Sequence, residues 1–172
     1  MDVKIAFLNG DSKENVSMSQ LEGFVVKGHE NKVWKLVKSL YGLKQAPWAW
    51  YEKLTEHLLK LNFKNYNLDD ATLFVNKVVR SIVFLMVYVY DLLMTMRNEN
   101  YIASIKKDLK IWFEMTDLGH AHYYLGIEVT QHPKYIFISQ KKYVWELLNI
   151  FCMIECNPIS TPMEQKLSLT SS

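Results

Sequence analysis

Strands mixed with a few helices, without regular βα alternation, predict an α+β chain built on an antiparallel sheet. Three observations carry this. The apolar run Ile82 to Tyr90 ends on one carboxylate, Asp91, and then resumes as Leu92-Leu93-Met94. The sets Tyr51, Leu54, Leu58, Leu61 and Ile102, Ile105, Leu109, Trp112 each recur at spacings of 3, 4 and 3, one helical face apiece. Between these lie short alternating segments closed by turn signals such as Asn9-Gly10-Asp11.

In chain order, residues 2–8 alternate enough for a strand, and short strands follow near Val16–Met18 and Phe24–Val26. Lys32-Val33-Trp34-Lys35-Leu36 alternates polar and apolar and reads as a half-exposed strand. Ser39 to Ala46 is a loop, and Pro47 suits the first turn of the helix that carries Tyr51 to Leu61. Ala71–Val75 and Ser81–Val89 read as strands, and Leu92–Thr95 as the return strand of a hairpin. After the second amphipathic helix, Tyr123–Thr130 and Tyr135–Ser139 form a hairpin around His132-Pro133. A last helix spans Lys141 to Met153 with Tyr143, Leu147 and Ile150 inward. No internal repeat and no low-complexity tract interrupts this order.

At 172 residues, 49% hydrophobic and 13% aromatic, the chain can build a packed core and is not of disordered composition. The net charge of +2 does not by itself imply nucleic acid. Lys27, Lys32, Lys35, Lys38 and Lys44 face a single acid, Glu30, and Lys134, Lys141 and Lys142 form a second basic group. Such clusters suit a phosphate backbone or are ordinary solvated faces. Cys152 and Cys156 lack a second pair, so they read as two reduced thiols of an intracellular protein. Met1 is followed at once by Asp2 and Lys4, which is no signal-peptide pattern. The run from Ile82 is too short to span a bilayer. Both ends read as cut, as in a segment of something longer.

The chemistry concentrates at Asp91. An unbroken apolar run reads as a strand buried on both faces, where an ionised carboxylate is costly unless paired or metal-bound. Tyr90 sits where a second acid is expected beside it. His120-x-His122 lacks further ligands at metal spacing and reads as a strand-edge feature. Asp69-Asp70 reads as a solvated turn, and Trp50 and Tyr51 as helix-face packing, although Trp48, Trp50 and Tyr51 could also stack bases. No Gly-rich phosphate loop and no Ser-His-Asp pattern is present.

Seven segments, taken together and in order, resemble the reverse transcriptase of copia-type long-terminal-repeat retrotransposons. They are Asp2 to Gly10, Ser39 to Pro47, Ala49-Trp50-Tyr51, Tyr88-Val89-Tyr90-Asp91, Asp117-Leu118-Gly119, Tyr124 to Val129, and Ser139 to Tyr143. The resemblance implies a polymerase palm over residues 1–139, an antiparallel sheet backed by helices, with upstream fingers missing and the start of the thumb and a tail over 140–172. It implies RNA-templated DNA synthesis by two-metal phosphoryl transfer with Mg²⁺, acids being brought together from distant strands. By position, Asp2 is the first-strand acid, and Tyr88, Val89, Tyr90 and Asp91 match Tyr-x-Asp-Asp. Asp2 and Asp91 are thus the implied metal and catalytic pair. Phe7 matches the aromatic residue that closes the sugar pocket. Tyr41, Gly42, Lys44, Gln45 and Pro47 match the segment that holds nucleotide and template, and Ser139, Gln140 and Lys141 resemble the primer-grip region. The implied partners are an RNA template, a DNA primer, deoxynucleoside triphosphates and the integrase and ribonuclease H regions of an intact Pol polyprotein, in a cytoplasmic particle or the nucleus, and no membrane.

The chain departs from the family pattern at three places. Tyr90 replaces an acid that is a direct ligand in the family, and a phenol with a pKa near ~10 is a poor ligand for Mg²⁺. Trp48 stands where the family has Arg, and the upstream fingers are missing. Met96 also replaces a Gly after the hairpin strand, which implies a disturbed turn. The expectation is a catalytically dead copy, a pseudoenzyme. The alternative is a non-catalytic relic or domesticated module with weak nucleic-acid or protein binding. Asp2 with Asp91 is then either a residual metal pair or a remnant geometry without metal.

Overall fold

Six antiparallel strands form the main sheet of the computed structural model, which describes residues 1–66, 72–78 and 81–160. Asp69-Asp70, Ala71 and the tail from 161 onward lie outside the described residues. The chain divides into two compact units, Met1–Gly119 and His120–Ser172.

The first unit begins with β1 (Asp2–Val3) and α1 (Ala6–Asn9), then a small ribbon of β2 (Ser17–Ser19) and β3 (Val33–Lys35). It continues through α2 (Ala46–Lys60), β4 (Lys64–Asn65), β5 (Leu73–Val78), β6 (Ser81–Tyr88), β7 (Asp91–Thr95), α3 (Glu99–Trp112) and β8 (Met115–Thr116). The sheet order is β4-β5-β6-β7-β1-β8. The α+β expectation holds, as do both helices and the β6–β7 hairpin, but Trp112, expected on the same face of α3 as Ile105 and Leu109, is exposed. Met96 follows β7 and packs against the core, with the hairpin intact.

One face of the sheet is covered. Val3, Phe74, Val83, Leu85, Val87 and Leu92 meet Trp50, Leu54 and Leu58 of α2 and Ile105 and Leu109 of α3 in a single buried cluster. At about 25 cal/mol per Å² of apolar surface, such burial is the main favourable term for this unit. The reading of β6 as buried on both faces is overturned. Its residues alternate, with Ile82, Phe84, Met86 and Tyr88 all at least 39% exposed. Helices back only one side, so the period of two expresses itself even though every residue is apolar.

Residues 2–8 are not one strand. The strand stops at Val3, Ile5 adopts the left-handed region (φ 50°, ψ 42°), and Ala6 to Asn9 turn into a helix that buries Ala6 and Phe7. Phe24–Val26 is an exposed loop rather than a strand and pairs with no strand among the described residues. Ile5 is β-branched, exposed, and caps α1 without a side-chain acceptor. Asn tolerates the left-handed region and accepts at an N-cap, so Ile5→Asn is expected to raise stability by about 1 kcal/mol. A denaturant titration that shows a lower midpoint for the Asn chain contradicts this assignment of strain.

The second unit holds β9 (Tyr123–Tyr124), β10 (Ile127–His132), β11 (Tyr135–Ser139) and α4 (Lys141–Ile150), with sheet order β11-β10-β9. The expected strand 123–130 is broken by a two-residue turn in which Leu125 and Gly126 both have positive φ, the requirement of a tight hairpin. Tyr143 and Ile150 were expected inward, but α4 buries none of its residues and both are exposed. His120 and His122 lie in the segment before β9, where the His122 carbonyl accepts from Val129. Among the described residues no helix is long and apolar enough to cross a membrane.

Candidate active site

The sheet register sets Asp2 directly opposite Asp91. The two flanking bonds define the geometry: Leu92 N–H donates to the Met1 carbonyl at 2.8 Å and Val3 N–H donates to the Tyr90 carbonyl at 2.9 Å. Bonds placed on either side, with none between the two residues themselves, make a non-hydrogen-bonded antiparallel pair. In such pairs side chains stand closest, with Cβ atoms roughly 4.5–5.5 Å apart. Alternation fixes the face. Val3 and Leu92 point into the core, so Asp2 and Asp91 point to the open side, with Tyr88 paired to Asp91 and Thr116 paired to Asp2.

The Asp91 carboxyl is pushed above the usual carboxylate range, first by burial and then by the Asp2 charge, against a smaller opposing pull from the chain's terminal ammonium group. Like charges directly across a ladder destabilise. At neutral pH Asp91→Asn is therefore expected to stabilise the fold by roughly 0.5–1 kcal/mol. An Asn chain that unfolds at lower urea concentration than the native one removes the inference that the two carboxylates repel.

A two-residue turn, Val89-Tyr90, joins β6 to β7. Val89 has φ 53°, a conformation that a β-branched residue adopts only at a cost of order 1–3 kcal/mol. The turn is tied down from the core side: the buried Trp50 donates its indole N–H to the Val89 carbonyl at 2.6 Å and sets its ring edge-on against Phe113. Tyr90, the second residue of the turn, is exposed.

The other expected residues of the first unit cluster around the start of α2. Phe7 is buried with its ring 4.4 Å from that of Tyr41, which is exposed above it. Gly42 takes φ 91°, a conformation that favours glycine. Lys44 is exposed, and Gln45 forms the N-cap of α2 and donates to Glu14 at 3.1 Å. Pro47 lies in the first turn. Trp48 is exposed and donates to Glu52 at 3.1 Å. A shallow groove on the outer side of α2 is lined in part by Asp11, Lys13, Glu52 and Lys53, which are engaged in ion pairs (Lys53–Asp11 3.0 Å, Lys13–Glu52). Lys38 of the first basic group also pairs with Asp11.

Asp117 of the Asp-Leu-Gly segment accepts from Lys106 at 2.7 Å and from Gly119 N–H at 3.0 Å, which hold its carboxyl below the ordinary range. Its bond to Lys106 ties α3 to the segment that follows β8. In the second unit Ser139 donates to Glu128 at 3.1 Å, Gln140 forms the N-cap of α4, and Lys141 begins the helix. Lys142 lies over the Tyr123 ring and near Glu146.

Two structural contributors escaped the sequence. Trp50 reads as packing, and nothing in helical periodicity says where an indole donor points. Gly10 reads as a turn glycine, but its φ is −74°; what it supplies is space, since a Cβ there would stand 2.8 Å from backbone atoms of Ala49 and Trp50.

The family model described as reverse transcriptase (RNA-dependent DNA polymerase) matches residues 1–165. The chain belongs to the reverse transcriptase family. Within it, the chain is 42% identical, over 99% of its length, to the retrovirus-related Pol polyprotein from transposon RE1 of Arabidopsis thaliana. It is 38% identical over 99% of its length to that from transposon TNT 1-94 of Nicotiana tabacum, and 39% identical to that from transposon RE2 of Arabidopsis thaliana. This is the reverse transcriptase region of copia-type Pol polyproteins. The chain spans 12–13% of the length of these relatives. No solved structure matches it.

Proposed function

We propose that this chain is the part of a copia-type RNA-directed DNA polymerase that carries the catalytic strands, with a palm over residues 1–139 and the start of the thumb over 140–172, and that this copy does not polymerise. The single observation that carries the reading is the register of Asp2 against Asp91 on the open face of the sheet. Two acids more than eighty positions apart in sequence, brought opposite each other in spite of their repulsion, make sense as a site for a cation.

The reaction joins the primer 3′-oxygen to the α-phosphorus of a deoxynucleoside triphosphate and releases pyrophosphate. Divalent ions such as Mg²⁺, when bound, supply charge neutralisation and lower the hydroxyl's hold on its proton. The residues fit one such ion: two hard carboxylate oxygens on one face, with substrate phosphate able to complete the shell. They do not fit two, because no group of three or more metal-ligating side chains exists among the described residues and Tyr90 brings a phenol in place of a carboxylate.

Asp2 and Asp91 hold the cation at the end of β6–β7, and Tyr88 flanks the primer end on the same face. Phe7 under Tyr41 forms the floor against which the sugar rests. Tyr41, Gly42, Lys44 and Gln45 lie along the incoming nucleotide, and Ser139, Gln140 and Lys141 along the primer. An RNA template, a DNA primer and the integrase and ribonuclease H regions of a longer polyprotein are the partners this reading requires. Primer extension on an RNA template in Mg²⁺ tests it: the native chain is expected to yield no product, and product from the native chain overturns the assignment of inactivity. Steep loss of template binding with salt is the accompanying expectation for a surviving nucleic-acid surface.

A further inference from the structure

We infer that Trp50 is a positioning residue for the acid pair, acting through the hairpin turn rather than touching the site itself; this rests on the reading of Asp2 and Asp91 as the cation ligands. Asp91 is the first residue after the turn, and Tyr90, the second turn residue, supplies the carbonyl that accepts from Val3. The position of the turn therefore sets both the ladder bond beside Asp2 and the start of the strand that presents Asp91. Yet the turn is conformationally unfavourable, because Val89 at φ 53° carries a β-branched side chain where a glycine is preferred. A turn of this kind persists only where its surroundings over-determine it.

Trp50 supplies that constraint. Its side chain is 1% exposed, wedged against Phe113, and its one polar atom is spent on the Val89 carbonyl at 2.6 Å. A buried indole N–H needs a partner, and here the Val89 carbonyl supplies it. The carbonyl, in turn, is drawn toward the core by a helix that is itself fixed by Leu54 and Leu58. The rigid element is α2, and the hydrogen bond transmits its position to the strained turn 39 residues away.

The test separates donor from packing. Trp50→Phe keeps an aromatic ring in the core but loses the donor, and Trp50 replaced by benzothienylalanine keeps the size and shape of the indole while lacking the N–H. Amide hydrogen exchange of Val3 and Leu92, the two amides that bracket the acid pair, is compared with that of amides in the β5–β6 ladder, alongside affinity for Mn²⁺ alone. The expected result is at least tenfold faster exchange at Val3 and Leu92 in both variants, with β5–β6 unchanged, and at least tenfold weaker Mn²⁺ binding. Exchange that is unchanged at these two amides, or accelerated equally throughout the sheet, overturns the proposal, as does a benzothienylalanine chain that behaves like the native one. If the native chain binds no Mn²⁺ while the two amides respond as described, the cation reading of Asp2 and Asp91 fails and the hold of Trp50 on the pair stands.

Discussion

Gly10→Ala is expected to cost about 2–3 kcal/mol, or to prevent folding of the first unit. The added methyl group would sit 2.8 Å from the Ala49 carbonyl carbon and 2.8 Å from the Trp50 nitrogen, both backbone atoms of α2 that cannot rotate away. Conformational strain contributes nothing, since φ −74° suits any residue. The cost is that of forcing α2 and the α1 turn apart, along with the Ser39 N–H bond to the Gly10 carbonyl and the Gly10 N–H bond to the Phe7 carbonyl, each 3.0 Å. Gly23→Ala is the control: its φ is 82° but open space surrounds it, so the loss there is about 1 kcal/mol from backbone conformation alone. Urea titrations of the two variants decide between space and conformation. Equal losses contradict the close-approach argument.

Tyr90→Asp is expected to raise nucleotidyl transfer on an RNA template by roughly a thousandfold or more over the native background. On the proposed reading, a carboxylate at position 90 supplies several kcal/mol of stabilisation to the developing charge, and each 1.36 kcal/mol is a factor of ten in rate. The change also lets the site hold a second divalent ion, which the phenol does not support. Because Tyr90 is exposed in the turn, the substitution removes no core contact and the fold should tolerate it, although a third negative charge near Asp2 and Asp91 lowers stability slightly in the absence of metal. The rate of single-nucleotide addition in Mg²⁺ is the measurement. An Asp version no more active than the native chain contradicts the assignment of position 90 to the site.

Much of the first unit was legible because period and chemistry coincide there. The 3, 4, 3 spacing in α2 and α3 can be satisfied only by helices with one inward face, and Leu54, Leu58, Ile105 and Leu109 are that face. The β6–β7 hairpin was legible from the break that Asp91 makes in an apolar run. Its two faces were not distinguishable, since Ile82, Phe84 and Met86 are as apolar as Val83, Leu85 and Val87, and only the packing of α2 and α3 against one side separates them among the described residues. Residues 4–9 misled because four helical residues are too few to show a period. In the second unit, Tyr143, Leu147 and Ile150 sit at correct helical spacing, yet α4 buries none of its residues among those described. The acid pair itself came from family resemblance; no local pattern links Asp2 to Asp91, and the register that joins them is a property of the whole sheet.

The central claim, that Asp2 and Asp91 form a two-carboxylate site reduced from a larger one, is tested most directly by counting ions. Mn²⁺ titration of the native chain followed by electron paramagnetic resonance should show one bound ion, weakened at least tenfold by Asp2→Asn and by Asp91→Asn alike, and two ions once Tyr90 is replaced by Asp. Two ions on the native chain, or binding that survives loss of either carboxylate, contradicts it.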